Sequence, residues 1–258
     1  MINSIMKSNR ILPYIKVVFF IFSFVAFLLI WDLAAKNINE SIILPSVREM
    51  AVALYKIIVS GDFFKLIFTA LKSFLAGLIL GILAGVLLAI ICHKLELLTV
   101  IISPAISILK ATPIACVIVL LWVSLTVSQI TVYATLIMVL PVVWQNVYNG
   151  LGSVDQNMIE VASVFKLGKL QKFKVLYVPT VLSYLIPAVI TSIGLAWKAE
   201  IAAEIMTYNN IGYLIREHRT YQEADSIFAW TILIVAFSIL FEKSAKYLLG
   251  RLENGLKA

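Results

Sequence analysis

Three charged residues interrupt an apolar stretch near residue 200, where they could do chemistry that their neighbours cannot. Lys198 and Glu200 are two residues apart and point in different directions around a helix, whereas Glu200 and Glu204 are four apart and share a face. If the stretch crosses a membrane, such charges are unfavourable there and often mark a substrate or ion pathway. The spacing leaves two interpretations: Lys198, Glu200 and Glu204 line or gate a pathway, or they lie near an interface and hold helices together.

Residues for enzymatic or nucleotide chemistry lack the spacing that they would need. The sequence contains no Gly-x-Ser-x-Gly turn and no phosphate-binding Gly-x-x-x-x-Gly-Lys-Ser/Thr loop; the nearest approach, Gly250 to Gly255, is followed by Leu256. His93 and His218 fall in segments predicted on opposite sides of a membrane, so they cannot share a metal. We therefore expect no catalytic residue, no metal and no cofactor in this chain.

The composition predicts an integral membrane protein. Of 258 residues, 62% are hydrophobic and only 14% are charged, and the mean hydropathy is +1.00. Soluble domains have roughly 45–50% apolar and about 25% charged residues. A soluble fold of this size would have to build its surface from apolar side chains, which such proteins avoid.

Six apolar segments reach the ~20 residues that a membrane-crossing helix needs. They lie at about 17–35, 66–92, 98–125, 129–148, 181–206 and 227–249. The third is expected to break at Pro104 or at Thr112-Pro113, because 28 residues of straight helix would span ~42 Å. The basic residues before the first also suit a signal peptide, although a retained anchor fits the topology. We predict an all-α polytopic membrane protein with a single domain over residues 1–258.

The basic residues indicate the orientation. With the N-terminus inside, 12 of the 21 lysines and arginines fall in inner segments, 6 in outer segments and 3 within spans. The positive-inside rule therefore places both termini in the cytoplasm. Topology accounts for most of the net charge of +7, so nucleic acid is not expected as a partner.

Two segments predicted on the outer side of the membrane have distinct sequence patterns. Ser46 and Glu49 have the spacing of a capping box, which predicts a short amphipathic helix over 45–58. The polar segment 208–226 is interpreted as a solvated loop or as a docking surface for an external partner.

A stripe of small residues follows the second predicted span. Ser73, Gly77, Gly81 and Gly85 are four apart each time. Small residues at this spacing allow two helix backbones to approach closely in lipid. We expect a helix-packing role, either within one chain or between two copies.

The segment between the fourth and fifth spans, the 153–179 loop, is the most informative. Ser153 and Gln156 have capping-box spacing, so a helix is predicted to begin near Val154 and to stop at Gly168. Lysines stud the segment at 166, 169, 172 and 174. The residues alone also fit an amphipathic loop lying on anionic lipid.

The loop also resembles a known family pattern. Glu160-x-Ala162, a turn, and Pro179 at 19 residues after the glutamate are similar to the "EAA" loop of bacterial ABC importer membrane subunits. Further segments resemble the nitrate, sulfonate and taurine permease branch, which includes permeases for thiamine-precursor pyrimidines; they are Leu44-Pro45-Ser46, Ser73 to Gly85, Leu109 to Ala115 and Ala196 to Glu204. One residue departs from the pattern: Lys166 stands where the family usually has glycine.

The resemblance implies a MetI-like ABC importer permease fold and an ATP-driven mechanism. Glu160 and Ala162 would lie on a helix that docks into a separate ATPase subunit, Gly168 would form the turn and Pro179 the junction with the next span. Glu204 matches an acidic residue common in the family. ATP and magnesium would bind to the ATPase subunit, an extracytoplasmic binding protein would deliver substrate, and a second permease copy would complete a homodimer.

The resemblance also implies a bacterial inner, or plasma, membrane protein in contact with the lipid bilayer. The substrate class it suggests is a small anion such as nitrate, sulfonate or taurine; the alternative is a thiamine-precursor pyrimidine or another small nutrient. An ion-coupled secondary transporter is a weaker alternative, because charge clusters mainly in the fifth span and no internal repeat is visible.

Overall fold

The computed structural model describes the backbone of residues 2–257 and the side chains of residues 15–251, and within that range every regular element is helical. The elements are α1 (Ile2–Ile38), α2 (Val47–Val59), α3 (Phe63–Lys94), α4 (Glu96–Ala111), α5 (Ile114–Ser124), α6 (Val127–Gly152), α7 (Gln156–Val164), α8 (Lys169–Lys172), a π-helical turn (Phe173–Tyr177), α9 (Val178–Ile205), α10 (Ile211–Thr220) and α11 (Ala224–Lys257). The predicted all-α fold is confirmed. The side chains of Lys7, Arg10 and Lys257, three of the basic residues assigned to the inside, lie outside the described residues.

Five helical stretches are long and apolar enough to cross a membrane. They are Ile15–Ile38, Phe63–Lys94, Val127–Gly152, Lys169–Ile205 and Ala224–Arg251. A bent pair formed by α4 and α5 makes a sixth if it is counted as one span. The prediction of about six transmembrane helices is thereby confirmed.

The break in the third predicted span lies at Thr112-Pro113, and Pro104 lies inside α4. The chain bends by 106° between α4 and α5. Proline lacks an amide N–H and disfavours helical backbone in the residue before it, and Thr112 is extended, with φ −76° and ψ 125°. α5, with 11 residues, is only ~17 Å long and cannot cross a ~30 Å hydrocarbon core alone.

The chain divides into two compact units, residues 1–60 with 217–232 and residues 61–216 with 233–258. In the first unit the Trp31 indole N–H donates to the Pro45 carbonyl oxygen at 3.0 Å. The predicted capping box is present, since the Ser46 N–H donates to the Glu49 carboxylate at 2.7 Å and the Glu49 N–H donates to the Ser46 hydroxyl at 3.3 Å. The sequence motif therefore fixes where α2 begins.

The second unit is built around the contact of α3 with α6. A Cβ placed on Gly77 would lie 2.6 Å from the Thr135 Cβ, and one on Gly81 would lie 2.7 Å from the Val139 Cβ. Gly85 meets Val143 at 2.9 Å in the same way. No side chain larger than hydrogen fits at these positions without moving α6, so the three glycines pack within this chain.

An aromatic cluster packs α9 in the same unit. The Trp197 ring stands edge-on to Phe74 of α3 at 5.6 Å and to Phe241 of α11 at 5.1 Å. Its indole N–H donates to the Ile234 carbonyl oxygen at 3.0 Å. These contacts fix the rotation of α9 about its axis and turn Glu200 and Glu204 inward, where both side chains are buried.

Candidate functional site

Glu200 and Glu204 lie buried on one face of α9, 0% and 2% exposed. The Thr135 hydroxyl of α6 donates to Glu200 Oε2 at 3.1 Å. Glu200 Oε1 has no hydrogen-bond partner, and none of the described lysines or arginines forms an ion pair with either carboxylate. Glu200 is therefore a buried acid with one oxygen still able to accept a hydrogen bond.

Lys198, the third residue predicted for a pathway, is exposed. It lies two residues before Glu200 and therefore on another side of α9, as the spacing predicts. The structure brings Glu200 and Glu204 together and does not bring Lys198 to them.

Glu204 binds the beginning of α10. Its Oε2 accepts a hydrogen bond from the Gly212 N–H at 3.1 Å. A Cβ on Gly212 would lie 2.5 Å from the Glu204 carbonyl carbon, so only glycine permits this approach. An anionic carboxylate at a helix N-terminus is favourable, because the free N–H groups and the helix dipole both attract it. Glu204 is thus a latch that holds α10 against the end of α9.

Polar residues that sequence reasoning missed complete this latch. Asn210 Oδ1 accepts from the Tyr213 N–H at 2.8 Å, and Asn210 Nδ2 donates to the Thr207 hydroxyl at 2.6 Å. The Arg216 guanidinium donates to the Thr207 carbonyl oxygen at 3.2 Å and lies 5.3 Å from the Tyr208 ring centre. Asparagine before a helix is a known N-cap signal. The interpretation of segment 208–226 as a solvated loop is wrong for residues 211–220, which are helical, whereas its interpretation as a docking surface stays a prediction.

A pocket of about 490 Å³ adjoins Glu204, and we call it the carboxylate pocket. It is lined by Thr69, Ser73, Thr126, Val127, Ser128, Thr131, Glu204, Tyr208, Asn209 and Asn210. Eight of these ten residues carry a hydroxyl or an amide group, and Glu204 is the one charged residue among the described lining residues. The pocket lies where α3 and α6 begin, which is the end of α6 remote from the 153–179 loop. Ser73, predicted only as a packing residue, contributes to its wall.

At the other end of α6 the predicted loop helix begins later than expected. α7 spans Gln156–Val164, and the Asp155 side chain caps it by accepting from the Asn157 N–H at 2.8 Å. The Ser153–Gln156 capping box is wrong, because α6 continues to Gly152 and Ser153 bonds backwards to the Gly150 carbonyl oxygen.

The turn after α7 is formed by Lys166 and not by Gly168. Lys166 has φ 54°, and its N–H donates to the Ser163 carbonyl oxygen at 3.0 Å. The Leu167 N–H donates to the Ala162 carbonyl oxygen at 2.9 Å, which completes a Schellman motif. Gly168 has φ −66° and instead precedes α8, so the prediction that Gly168 stops the helix is wrong. Holding lysine in the left-handed region costs about 1–2 kcal/mol.

The remaining predicted loop residues differ in exposure. Glu160 is exposed, whereas Ala162 is 4% exposed and is covered by this chain's own atoms. Pro179 lies in the first turn of α9, where its missing N–H is not needed. Four large apolar side chains of this segment face outward: Met158, Val161, Val164 and Phe165. They form an exposed apolar face, which we call the α7 face.

A π-helical turn joins α8 to α9 and was not predicted. It spans Phe173–Tyr177, and the Val178 N–H donates to the Phe173 carbonyl oxygen. Such turns are rare and occur often at functional sites. The sequence gives no indication of this π-helical turn, since its residues are equally compatible with an α-helix.

Within the part of the chain that the structure describes, no three histidine, cysteine, aspartate or glutamate side chains are grouped as metal ligands would be. Cys92 is buried and Cys116 is exposed, and neither forms a disulfide.

Comparison with known proteins gives a consistent picture. Residues 77–254 match the family model described as "Binding-protein-dependent transport system inner membrane component". A putative aliphatic sulfonates transport permease of Bacillus subtilis is 27% identical over 228 residues, covering 85% of this chain and 80% of its own. A formylaminopyrimidine transport permease of Halalkalibacterium halodurans is 25% identical, covering 84% and 87%. A bicarbonate transport permease of Synechocystis is 26% identical, covering 88% and 86%.

A solved structure has the same fold. The crystal structure of an amino acid ABC transporter with histidines matches with a TM-score of 0.58 at 18% identity, over 73% of this chain and 91% of that one. At this identity the match concerns the fold alone.

Proposed function

Because the chain belongs to the family of binding-protein-dependent transport inner membrane components, we propose that it forms a substrate path whose opening is driven through the α7 face. The chain is the permease subunit of an ABC importer and a multi-pass inner membrane protein. As a permease component it is not itself an enzyme and carries no cofactor. An ATPase subunit and a substrate-binding protein are the partners that membership of this family implies.

The observation that carries the proposal is the exposed α7 face on a loop of fixed geometry. Val164 and Phe165 are 79% and 75% exposed, although both are apolar. Soluble surfaces rarely cluster such residues unless a partner covers them. The Schellman turn and the hydrogen bond from the Lys172 ammonium to the Ser163 hydroxyl, 2.6 Å long, tie α7 to the next segment. A displacement of α7 would therefore reach α9 through ordered backbone.

Within this proposal the ATPase subunit docks on the α7 face, with Glu160 at its edge as a polar anchor. Ala162 faces inward and allows the loop to pack closely on itself. Lys166 forms the turn, Gly168 precedes α8 and Pro179 lies in the first turn of α9, the span that follows. ATP and magnesium act in the partner subunit.

At the far end of α6 we propose that the Glu204 latch gates the carboxylate pocket. When α10 is held by Glu204, Asn209 and Asn210 close one wall of the pocket. Release of the Gly212 N–H would free that wall. Glu200, deeper on the same face, offers its unoccupied oxygen to a passing polar group. Lys198 has no part in this pocket.

For the substrate we propose a small polar nutrient, in the first place a small anion of the nitrate, sulfonate or taurine type. The names of the sulfonate and bicarbonate relatives support an anion. The pocket favours the second candidate, a thiamine-precursor pyrimidine, because its lining offers a carboxylate, amides and hydroxyls but no lysine or arginine. A formylaminopyrimidine permease is among the relatives.

We further propose that two copies form a homodimer, as the family resemblance implies. Both termini are proposed to lie in the cytoplasm, as the distribution of basic residues predicts. An ion-coupled carrier is disfavoured, because membership of this family makes the chain a permease component of an ATP-driven importer.

The experiment that tests the docking proposal is co-purification of the tagged permease with a co-expressed ABC ATPase subunit of the same organism, in lipid nanodiscs. Glu160→Arg on the edge of the α7 face is expected to lower ATPase recovery at least tenfold. Glu242→Arg is the matched control, since Glu242 is also exposed but lies on α11. Equal recovery with wild type and Glu160→Arg would refute docking at this face.

The two substrate candidates are separated by uptake into proteoliposomes that contain the assembled importer. Radiolabelled taurine, nitrate and formylaminopyrimidine are supplied with the cognate binding protein, and ATP-dependent uptake is measured. Uptake of an anion alone would exclude the pyrimidine, and the reverse result would exclude the anion class.

A further inference from the structure

A cavity of about 700 Å³ lies beside the π-helical turn, at the end of α6 that carries the 153–179 loop. Its volume falls within the roughly 300–1,000 Å³ of small-molecule sites. Neither the docking face nor the carboxylate pocket includes it. Its wall is mainly apolar and includes Val86, Ile90, Val147, Leu151, Val181 and Leu182.

Basic side chains stand around this apolar wall. His93, Lys94, Lys169 and Lys172 all line the cavity, and none of its described lining residues is acidic. Lys172 donates to the Ser163 hydroxyl, which leaves its charge uncompensated. In the described part of the chain, no carboxylate forms an ion pair with these lysines. Three ammonium groups without an acidic partner, at the edge of an apolar cavity, favour a ligand that carries a negative charge.

The same ligand must satisfy the wall and the rim. A free inorganic anion would meet the lysines but would leave the apolar wall to water. A neutral apolar molecule would fill the wall and leave the lysines unneutralised. A phospholipid with an anionic headgroup satisfies both, and basic pockets between membrane helices are known to bind such headgroups.

We propose that this cavity is a binding site for one anionic phospholipid, whose acyl chain packs on Val86, Ile90 and Leu182 and whose phosphate lies between Lys94 and Lys169. Phe173 and Tyr177 of the π-helical turn also line the cavity. The bound lipid therefore braces this turn against α3 and α6. The proposal stands whether or not the α7 face docks an ATPase.

The test titrates purified full-length permease in detergent with dioleoyl phosphatidylglycerol and, separately, dioleoyl phosphatidylcholine, and counts bound lipid by native mass spectrometry. The double variant Lys94→Gln/Lys169→Gln should weaken phosphatidylglycerol binding roughly thirtyfold and leave phosphatidylcholine binding unchanged. The matched control is Lys243→Gln/Lys246→Gln, two exposed lysines of α11 that lie outside the cavity. The control should bind phosphatidylglycerol as the wild type does.

Two further experiments distinguish lipid bound inside the cavity from an anion bound only to the lysines at its rim. Val181→Phe keeps every lysine and fills part of the wall, so it should lower phosphatidylglycerol binding at least fivefold; melting temperatures verify that each variant is folded. Inorganic phosphate at millimolar concentration should not displace the lipid.

Equal loss in both lysine pairs would overturn the proposal in favour of diffuse charge attraction. Unchanged binding in Val181→Phe would overturn it because the lipid would then lie outside the cavity. Displacement by phosphate alone would assign the rim to a free anion instead.

Discussion

The two ends of α6 carry opposite kinds of surface. At one end, the α7 face leaves Val164 and Phe165 exposed, and its shape comes from hydrogen bonds between residues a few positions apart. At the other end, Glu200 and Glu204 are buried, and their partners Thr135 and Gly212 come from other helices. Exposed apolar groups are suited to binding a separate subunit, whereas buried acids are suited to a gate formed by helices of the same chain.

The physical difference lies in what holds each region together. A Schellman turn and an N-cap form within one short segment and tolerate change around them. A buried carboxylate needs donors placed by tertiary packing, since an unsatisfied buried polar group costs about 1–3 kcal/mol. We therefore expect substitutions at the carboxylate pocket to affect stability more than substitutions in the loop.

The largest difference in stability is expected between alanine substitutions of two glycines, Gly212 beside the carboxylate pocket and Gly168 in the 153–179 loop. Gly212→Ala should destabilise the protein by about 2 kcal/mol or more, because its Cβ would meet the Glu204 backbone and overpacking typically costs 1–3 kcal/mol. Gly168→Ala should cost under about 0.5 kcal/mol, since only Gln171 Oε1 lies near, at 3.7 Å, and φ is −66°. Thermal unfolding in detergent measures both. A larger loss in Gly168→Ala would reverse the comparison.

Substitutions of the two buried acids should distinguish a role in stability from a role in transport. Glu204→Gln keeps an acceptor for the Gly212 N–H but loses the charge, so about 1 kcal/mol of stability is expected to be lost. Glu200→Gln removes a carboxyl with an unpartnered oxygen and should leave stability within about 0.5 kcal/mol of wild type. Reduced transport by a fully stable Glu200→Gln would support a pathway role, and unchanged transport would remove Glu200 from the pathway.

A smaller change in stability, this time stabilising, is expected from a substitution in the 153–179 loop. Lys166→Gly should stabilise the turn by about 1 kcal/mol, because glycine adopts φ 54° without strain. Hydrogen exchange of the Leu167 amide, which closes the Schellman motif, should slow accordingly. Lys169→Gly, at a helical position, is the control and should not slow it. Faster exchange in Lys166→Gly would show that the lysine side chain stabilises the turn by contacts that outweigh its strain.

The smallest effect on stability concerns Glu49, a half-buried acid at the start of α2, which contrasts with the fully buried Glu204. The Ser46 backbone N–H, with help from the Ser41 and Ser46 hydroxyls, holds the pKa of Glu49 below its usual range. A lowered pKa means that the folded state prefers the charged form, so this stabilisation is present at neutral pH and is lost as the pH falls below about 4.

Melting of wild type and Glu49→Gln at pH 7 and pH 3 measures that loss. The two proteins should differ slightly at pH 7 and converge at pH 3. A difference that grows on acidification would contradict the assigned cause.

Local motifs were predicted well from sequence where few residues decide the outcome. The Ser46–Glu49 capping box and the break at Thr112-Pro113 follow from side-chain and proline chemistry within four residues. The predicted start of α7 is wrong because α6 continues to Gly152 and Ser153 caps its end, and helix ends depend on how far packing extends the helix. The turn was misplaced because a glycine nearby is not always the residue with positive φ.

Sequence by itself determined the class of this protein. Its apolar content indicates a membrane protein, and the number and length of its apolar segments predict about six spans. The 153–179 loop and the other matching segments indicate the permease family. Each of these patterns can be found without the tertiary structure, because it is local or is summed along the chain. Only the tertiary structure decided that Gly77, Gly81 and Gly85 pack against α6, that Glu204 holds α10, and that lysines surround an apolar cavity. Those contacts join residues from different helices, and helix rotation and crossing, which no single segment encodes, determine which of them meet.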